Sequence, residues 1–203
     1  MNHNHSQSMK YAIILSLALI FCGGLSGCIS TPLCAGKSNA WGSVTNGMRM
    51  CLAVLKAPGR NDPGIEVSFQ NAGERDVSLN LGYMLANGKV QLPAKIHLRL
   101  TDHTGRIREL DFADKKYGNV SGRVDDYVVP LRSGSTYTLE LRLDQFWSPG
   151  TQDFDFKVKP GHYAVSAQFE GVGAETGNSD LSGMNLMNFW KGKLQSNDCA
   201  FVE

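Results

Sequence analysis

Residues 159–169 read Lys-Pro-Gly-His-Tyr-Ala-Val-Ser-Ala-Gln-Phe. Tyr163, Val165, Ala167 and Phe169 fall on every second position. Between them stand His162, Ala164, Ser166 and Gln168. Side chains of an extended strand alternate between its two faces, so the pattern describes a strand with one buried and one wet side. Lys159-Pro160-Gly161 in front of it is turn chemistry.

The same period recurs along the chain. Met50, Leu52 and Val54 alternate with Arg49, Cys51 and Ala53. Ile65, Val67 and Phe69 alternate with Glu66, Ser68 and Gln70, and Val77, Leu79 and Leu81 with Asp76, Ser78 and Asn80. Ile96, Leu98 and Leu100 alternate with Lys95, His97 and Arg99. Tyr137, Leu139, Leu141 and Leu143 alternate with Thr138, Glu140 and Arg142. Turn signals divide the runs at Asn71-Ala72-Gly73, Asn87-Gly88, His103-Thr104-Gly105 and Ser133-Gly134. Thr101–Arg106 reads as a tight hairpin. The expectation is an all-β fold, one antiparallel β-sandwich of eight or nine strands over residues 48–203. Leu131 followed by Ser133-Gly134, and later Pro160-Gly161-x-Tyr163-x-Val165, resemble the strand openings of immunoglobulin-like and fibronectin-like bacterial domains. A fainter resemblance is to bacterial proteinase-inhibitor sandwiches, whose early strand ends in Asn-x-Gly.

Ahead of the sandwich, residues 29–47 are rich in Ser, Gly, Asn and Thr without periodicity, and read as a flexible tether. Residues 11–22, YAIILSLALIFC, form an apolar run behind Lys10. A bilayer span needs about 20 such residues, so this one has the length of a signal-peptide core instead. Met9 is an alternative start, and His3 and His5 would leave with the signal. Leu25-Ser26-Gly27-Cys28 follows and resembles the lipobox of bacterial lipoproteins. That resemblance implies cleavage after residue 27. It implies a diacylglycerol on the Cys28 thiol and a palmitate-type acyl chain on the new amine. The expected organisation is therefore 1–27 signal peptide, 28–47 lipidated tether and 48–203 sandwich. Two or three acyl chains anchor stably where one does not. The expected location is the cell envelope, with the membrane as partner through Cys28. Ile29 after the cysteine resembles the outer-membrane sorting pattern of a Gram-negative host.

Charge excludes one class of partner. Of 203 residues, 42% are apolar, and the formal charge is +1. Loss of Lys10 with the signal leaves equal numbers of acids and bases, unlike the basic excess of nucleic-acid binders. Cys34, Cys51 and Cys199 remain after processing, so one disulfide among three possible pairings is expected in an oxidising compartment.

Catalytic signatures are missing. The chain has no Gly-x-Ser-x-Gly elbow, phosphate loop, calcium loop or Cys-x-x-Cys. His97 and His162 are expected on outward faces and His103 in a turn. Asp125 and Asp126 are adjacent and must point to opposite faces. No enzyme, cofactor or metal site is expected. What remains is aromatic. Phe146-Trp147 and Phe189-Trp190 lie in or beside the long connections 144–153 and 171–191. Exposed rings in loops supply contact area at small entropy cost, so Trp147, Phe189 and Trp190 are the expected binding surface for a protein or glycan partner. Packing of the same rings over the ends of the core is the competing reading. The function expected is a non-catalytic binding or structural module on a lipid anchor. The alternatives are a proteinase-inhibitor-like sandwich or a carbohydrate-binding module, with a hydrolase the weakest.

Overall fold

A computed structural model describes residues 41–55, 63–113, 122–151, 157–175 and 187–203. Cys28, Cys34 and the apolar run 11–22 lie outside these residues. The described chain is all-β with antiparallel sheets, apart from one 3-10 turn at Leu143–Gln145. No helix among the described residues is long and apolar enough to cross a membrane.

The strands are β1 (Met48–Leu55), β2 (Gly64–Asn71), β3 (Val77–Leu85), β4 (Val90–Leu92), β5 (Ile96–Asp102) and β6 (Ile107–Phe112). They continue with β7 (Asp125–Leu131), β8 (Thr136–Arg142), β9 (Phe146–Trp147), β10 (His162–Gly171), β11 (Gly192–Gln195) and β12 (Cys199–Val202). The runs with period two all became strands. The strands beyond the expected eight or nine are short ones, such as β4 and β9, which lack room for a visible alternation.

β1, β2 and β8 form one sheet, and β4, β3 and β7 a second. The third runs β11-β10-β5-β6-β9, with β12 also on β10. The first and third sheets face each other in a β-sandwich-like arrangement. Met50, Leu52, Ile65, Val67 and Phe69 from one side share a buried cluster with Ile96, Leu98, Leu100, Val165 and Phe169 from the other. Phe69 meets Phe169 edge to face, ring centres 5.0 Å apart. Fully burying each such side chain stabilises by about 1.5–3 kcal/mol.

The hairpin between β5 and β6 forms as its sequence demands. Asp102 Oδ1 accepts hydrogen bonds from the Thr104 N–H, the Thr104 hydroxyl and the Arg106 N–H, and Gly105 takes φ +81. The Thr104 hydroxyl, aided by the two amides, holds the Asp102 carboxyl below its ordinary range.

β3 departs from the expectation. Ser78 and Asn80 were expected on a wet face, but they are 6% and 0% exposed. Later chain covers that face. Ser78 donates its N–H to Asn188 O, and its carbonyl accepts from the Trp190 N–H. Asn80 Nδ2 donates to Gly173 O and to Asp126 Oδ1, while its Oδ1 accepts from the Gly82 N–H. A bulge between Asn80 and Tyr83 makes room for this, and Gly82 there has φ +148. A Cβ on Gly82 would sit 2.6 Å from Ala94 N, so the bulge requires glycine.

Asp125 and Asp126 do point apart. Asp125 pairs with exposed Arg123, whereas Asp126 is buried and accepts from the Glu175 N–H as well as Asn80. Replacing Asn80 by Ala leaves the Gly82 N–H and the Asp126 carboxylate short of partners. Urea unfolding of Asn80→Ala should show a loss of about 3 kcal/mol with the slope unchanged, whereas Ser68→Ala on the outer face of β2 should stay within about 0.5 kcal/mol.

Candidate functional site

Register on the third sheet decides which side chains meet. On its inner face Val165, Ala167 and Phe169 of β10 lie opposite Leu100, Leu98 and Ile96 of β5. The outer face is therefore set by the residues between them. Gln168 pairs with Gln195 of β11 on one side and with His97 of β5 on the other. His97 pairs with Asp111 of β6, and Asp111 with Trp147 of β9. Residues opposite one another in register share a face, so Gln195, Gln168, His97, Asp111 and Trp147 form one row across five strands. With strands about 4.8 Å apart, the row is about 19 Å long.

The row is open to solvent. His97 Nδ1 lies 2.7 Å from Asp111 Oδ1, and these side chains are 42% and 39% exposed. Gln195 is exposed, and Gln168 and Trp147 are half-buried. Two further pairs flank the row. Arg99 Nε stands 3.7 Å from Glu109 Oε1, and Lys193 Nζ 3.5 Å from Glu170 Oε2. At the β10–β11 end, His97, Gln168, Glu170, Lys193 and Gln195, together with Phe169 and Leu194 between them in sequence, line a shallow cleft of about 280 Å³.

The expected aromatic surface divides. Trp147 stands in the row. Trp190 is 4% exposed and belongs to the core, which corrects its reading as a contact residue. It stacks on Phe169 with ring centres 6.0 Å apart, and its Nε1 donates to Asn46 O at 3.1 Å. A Cβ on Gly171 would lie 2.6 Å from Trp190 Cζ3, so a glycine opens the slot that the indole fills. Phe189 is half-buried and bridges Ser78 in parallel, tied to β3 and away from Trp147. Residues 41–47, read as tether, are also docked. Gly42 donates its N–H to Met50 O, and Asn46 Nδ2 to Lys191 O.

Cys51 on β1 and Cys199 on β12 are thiols, so no disulfide joins them in this structure. Asn197 brings their strands together by accepting the Leu52 N–H and donating to Leu52 O. Burial raises the Cys51 pKa, and the neighbouring Cys199 and Glu66 add to it.

His97, His103 and His162 do not assemble. His103 and His162 sit at the hairpin end of the third sheet, about 20 Å along β5 from His97 at about 3.3 Å per residue. Met48 and Met50 are buried in the core. Asp153, Asp155, Asn178, Asp180 and Met184 lie outside the described residues. Among the described residues no group of three or more His, Cys, Asp or Glu could hold a metal ion.

Sequence reasoning turned His97 and Gln168 outward but did not single them out, and it missed Asp111 and Gln195. No local signal marks these residues as neighbours, because each comes from a different strand. Comparison of the chain with protein-family models and with curated proteins found no match.

The two indoles should be distinguishable in solution. A variant that keeps only Trp190 should emit at short wavelength and resist acrylamide quenching. One that keeps only Trp147 should emit further to the red and quench severalfold more strongly.

Proposed function

We propose that the chain is a lipid-anchored cell-envelope protein whose immunoglobulin-like β-sandwich is a binding module without catalytic chemistry. The anchor reading rests on the apolar run 11–22 with Leu25-Ser26-Gly27-Cys28 directly behind it. The immunoglobulin-like reading is supported by the order of the long strands. Early β1 and β2 pair with late β8, while β5 pairs with β10 in the facing sheet.

One observation carries the binding role: the row from Gln195 to Trp147 on the outer face of the third sheet. The inner face of the same strands is closed by the apolar cluster, whereas the outer face keeps a half-exposed indole among polar side chains. A ring and planar hydrogen-bonding groups held on paired strands form a preorganised contact surface, which lowers the entropic cost of binding. The lipid would hold that surface at the membrane, with the chain between Cys28 and Trp41 as spacer.

Cys28→Ala should abolish incorporation of labelled fatty acid and release the protein from the membrane fraction in a bacterial host. Unchanged membrane retention of the unlabelled variant would refute the anchor.

A further inference from the structure

We infer that the outer face of the third sheet binds an uncharged, linear glycan laid across the strands along the row Gln195–Gln168–His97–Asp111–Trp147. The inference rests on the reading of this face as the binding surface and adds its ligand class.

Charge complementarity selects the ligand. Among the described residues, each charged side chain in or flanking the row lies beside an opposite partner: His97 by Asp111, Arg99 by Glu109 and Lys193 by Glu170. A polyanion needs unopposed cations and gains affinity by releasing counterions. This face offers neither that nor an unopposed acidic field for a polycation, so a neutral ligand is its electrostatic complement. Hydrogen-bonding capacity narrows the class. The two amides each present both donors and acceptors, the imidazole adds a ring nitrogen beyond the one facing Asp111, and the carboxylate accepts. Hydroxyl groups, which donate and accept at once, match such a row. At its end the half-buried Trp147 indole adds apolar ring surface, a fit to the C–H face of a sugar ring.

Shape points the same way. The cleft of about 280 Å³ lies just below the range of pockets that enclose a drug-sized molecule, and it occupies only one end of the row. An extended polymer uses the whole length, about 19 Å, without being enclosed. A protein partner fits less well. The cores of protein interfaces are depleted in charge, yet the centre of this row is the half-exposed His97–Asp111 pair.

The test is calorimetric titration of the full chain in detergent with cellohexaose, chitohexaose and maltohexaose, and with polygalacturonate as the anionic comparison. At least one neutral hexamer should bind, with affinity unchanged between low and moderate salt. Trp147→Ala and Gln168→Ala should each weaken it about tenfold or more, while Glu140→Ala on the first sheet should not. Silence from all three hexamers, a preference for polygalacturonate, or insensitivity to both face variants would overturn the inference. A photo-crosslinking residue at position 195 in living cells separates this outcome from failure of the binding face itself. Crosslinking there to a protein, without glycan binding, ends the glycan inference but keeps the face. Absence of any crosslink together with silent titrations ends both.

Discussion

The register of β10 is the constraint on which the rest of this protein depends. The strand is central in its sheet and pairs with β5 on one side and with β11 and β12 on the other. Its odd-numbered residues fill the core, where Phe169 lies between Phe69 of the opposite sheet and the indole of Trp190. Its even-numbered residues point the other way: Ser166, expected on the wet side, is buried opposite Arg99, while Gln168 stands in the open row between Gln195 and His97. A slip of one residue would exchange the two sets at once. The aromatic packing that holds the sheets together therefore also sets the polar row behind it.

Stability and recognition are separated by that alternation. The exposed ion pairs of the outer face each contribute about 0–1 kcal/mol. The fold rests on the apolar cluster and on satisfied buried polar groups such as Asn80 and Asp126. Substitutions in the row can change binding without unfolding the chain, while substitutions at Phe169 or Trp190 act on the whole structure. The loop residues that approach the core serve the second purpose. Asn46 and residues 188–190 close the sandwich over β3 and β10 rather than offering a contact surface.

The fold was legible because period-two alternation is a local property. Ile65, Val67 and Phe69, like Ile96, Leu98 and Leu100, turned inward as their spacing required. Ser78 and Asn80 misled because their face is covered by chain about 100 residues later, which no local pattern encodes. Trp190 was ambiguous for a related reason. A ring beside an irregular segment can face water or core, and the deciding features are the two glycines near it, Gly171 and Gly192. The candidate site was legible only in fragments: the outward positions of His97 and Gln168, and the aromatic Trp147. Their assembly with Asp111 and Gln195 depends on strand order and register, which are non-local.

The most direct test of the account is the register of β10 in solution, read from inter-strand nuclear Overhauser contacts in the isotopically labelled protein. Cross-strand contacts should join residue 168 to 97 and 195, residue 97 to 111, and residue 111 to 147. Contacts that place residue 168 opposite 96 or 98 would contradict it, since that register would bury Gln168 and dissolve the row.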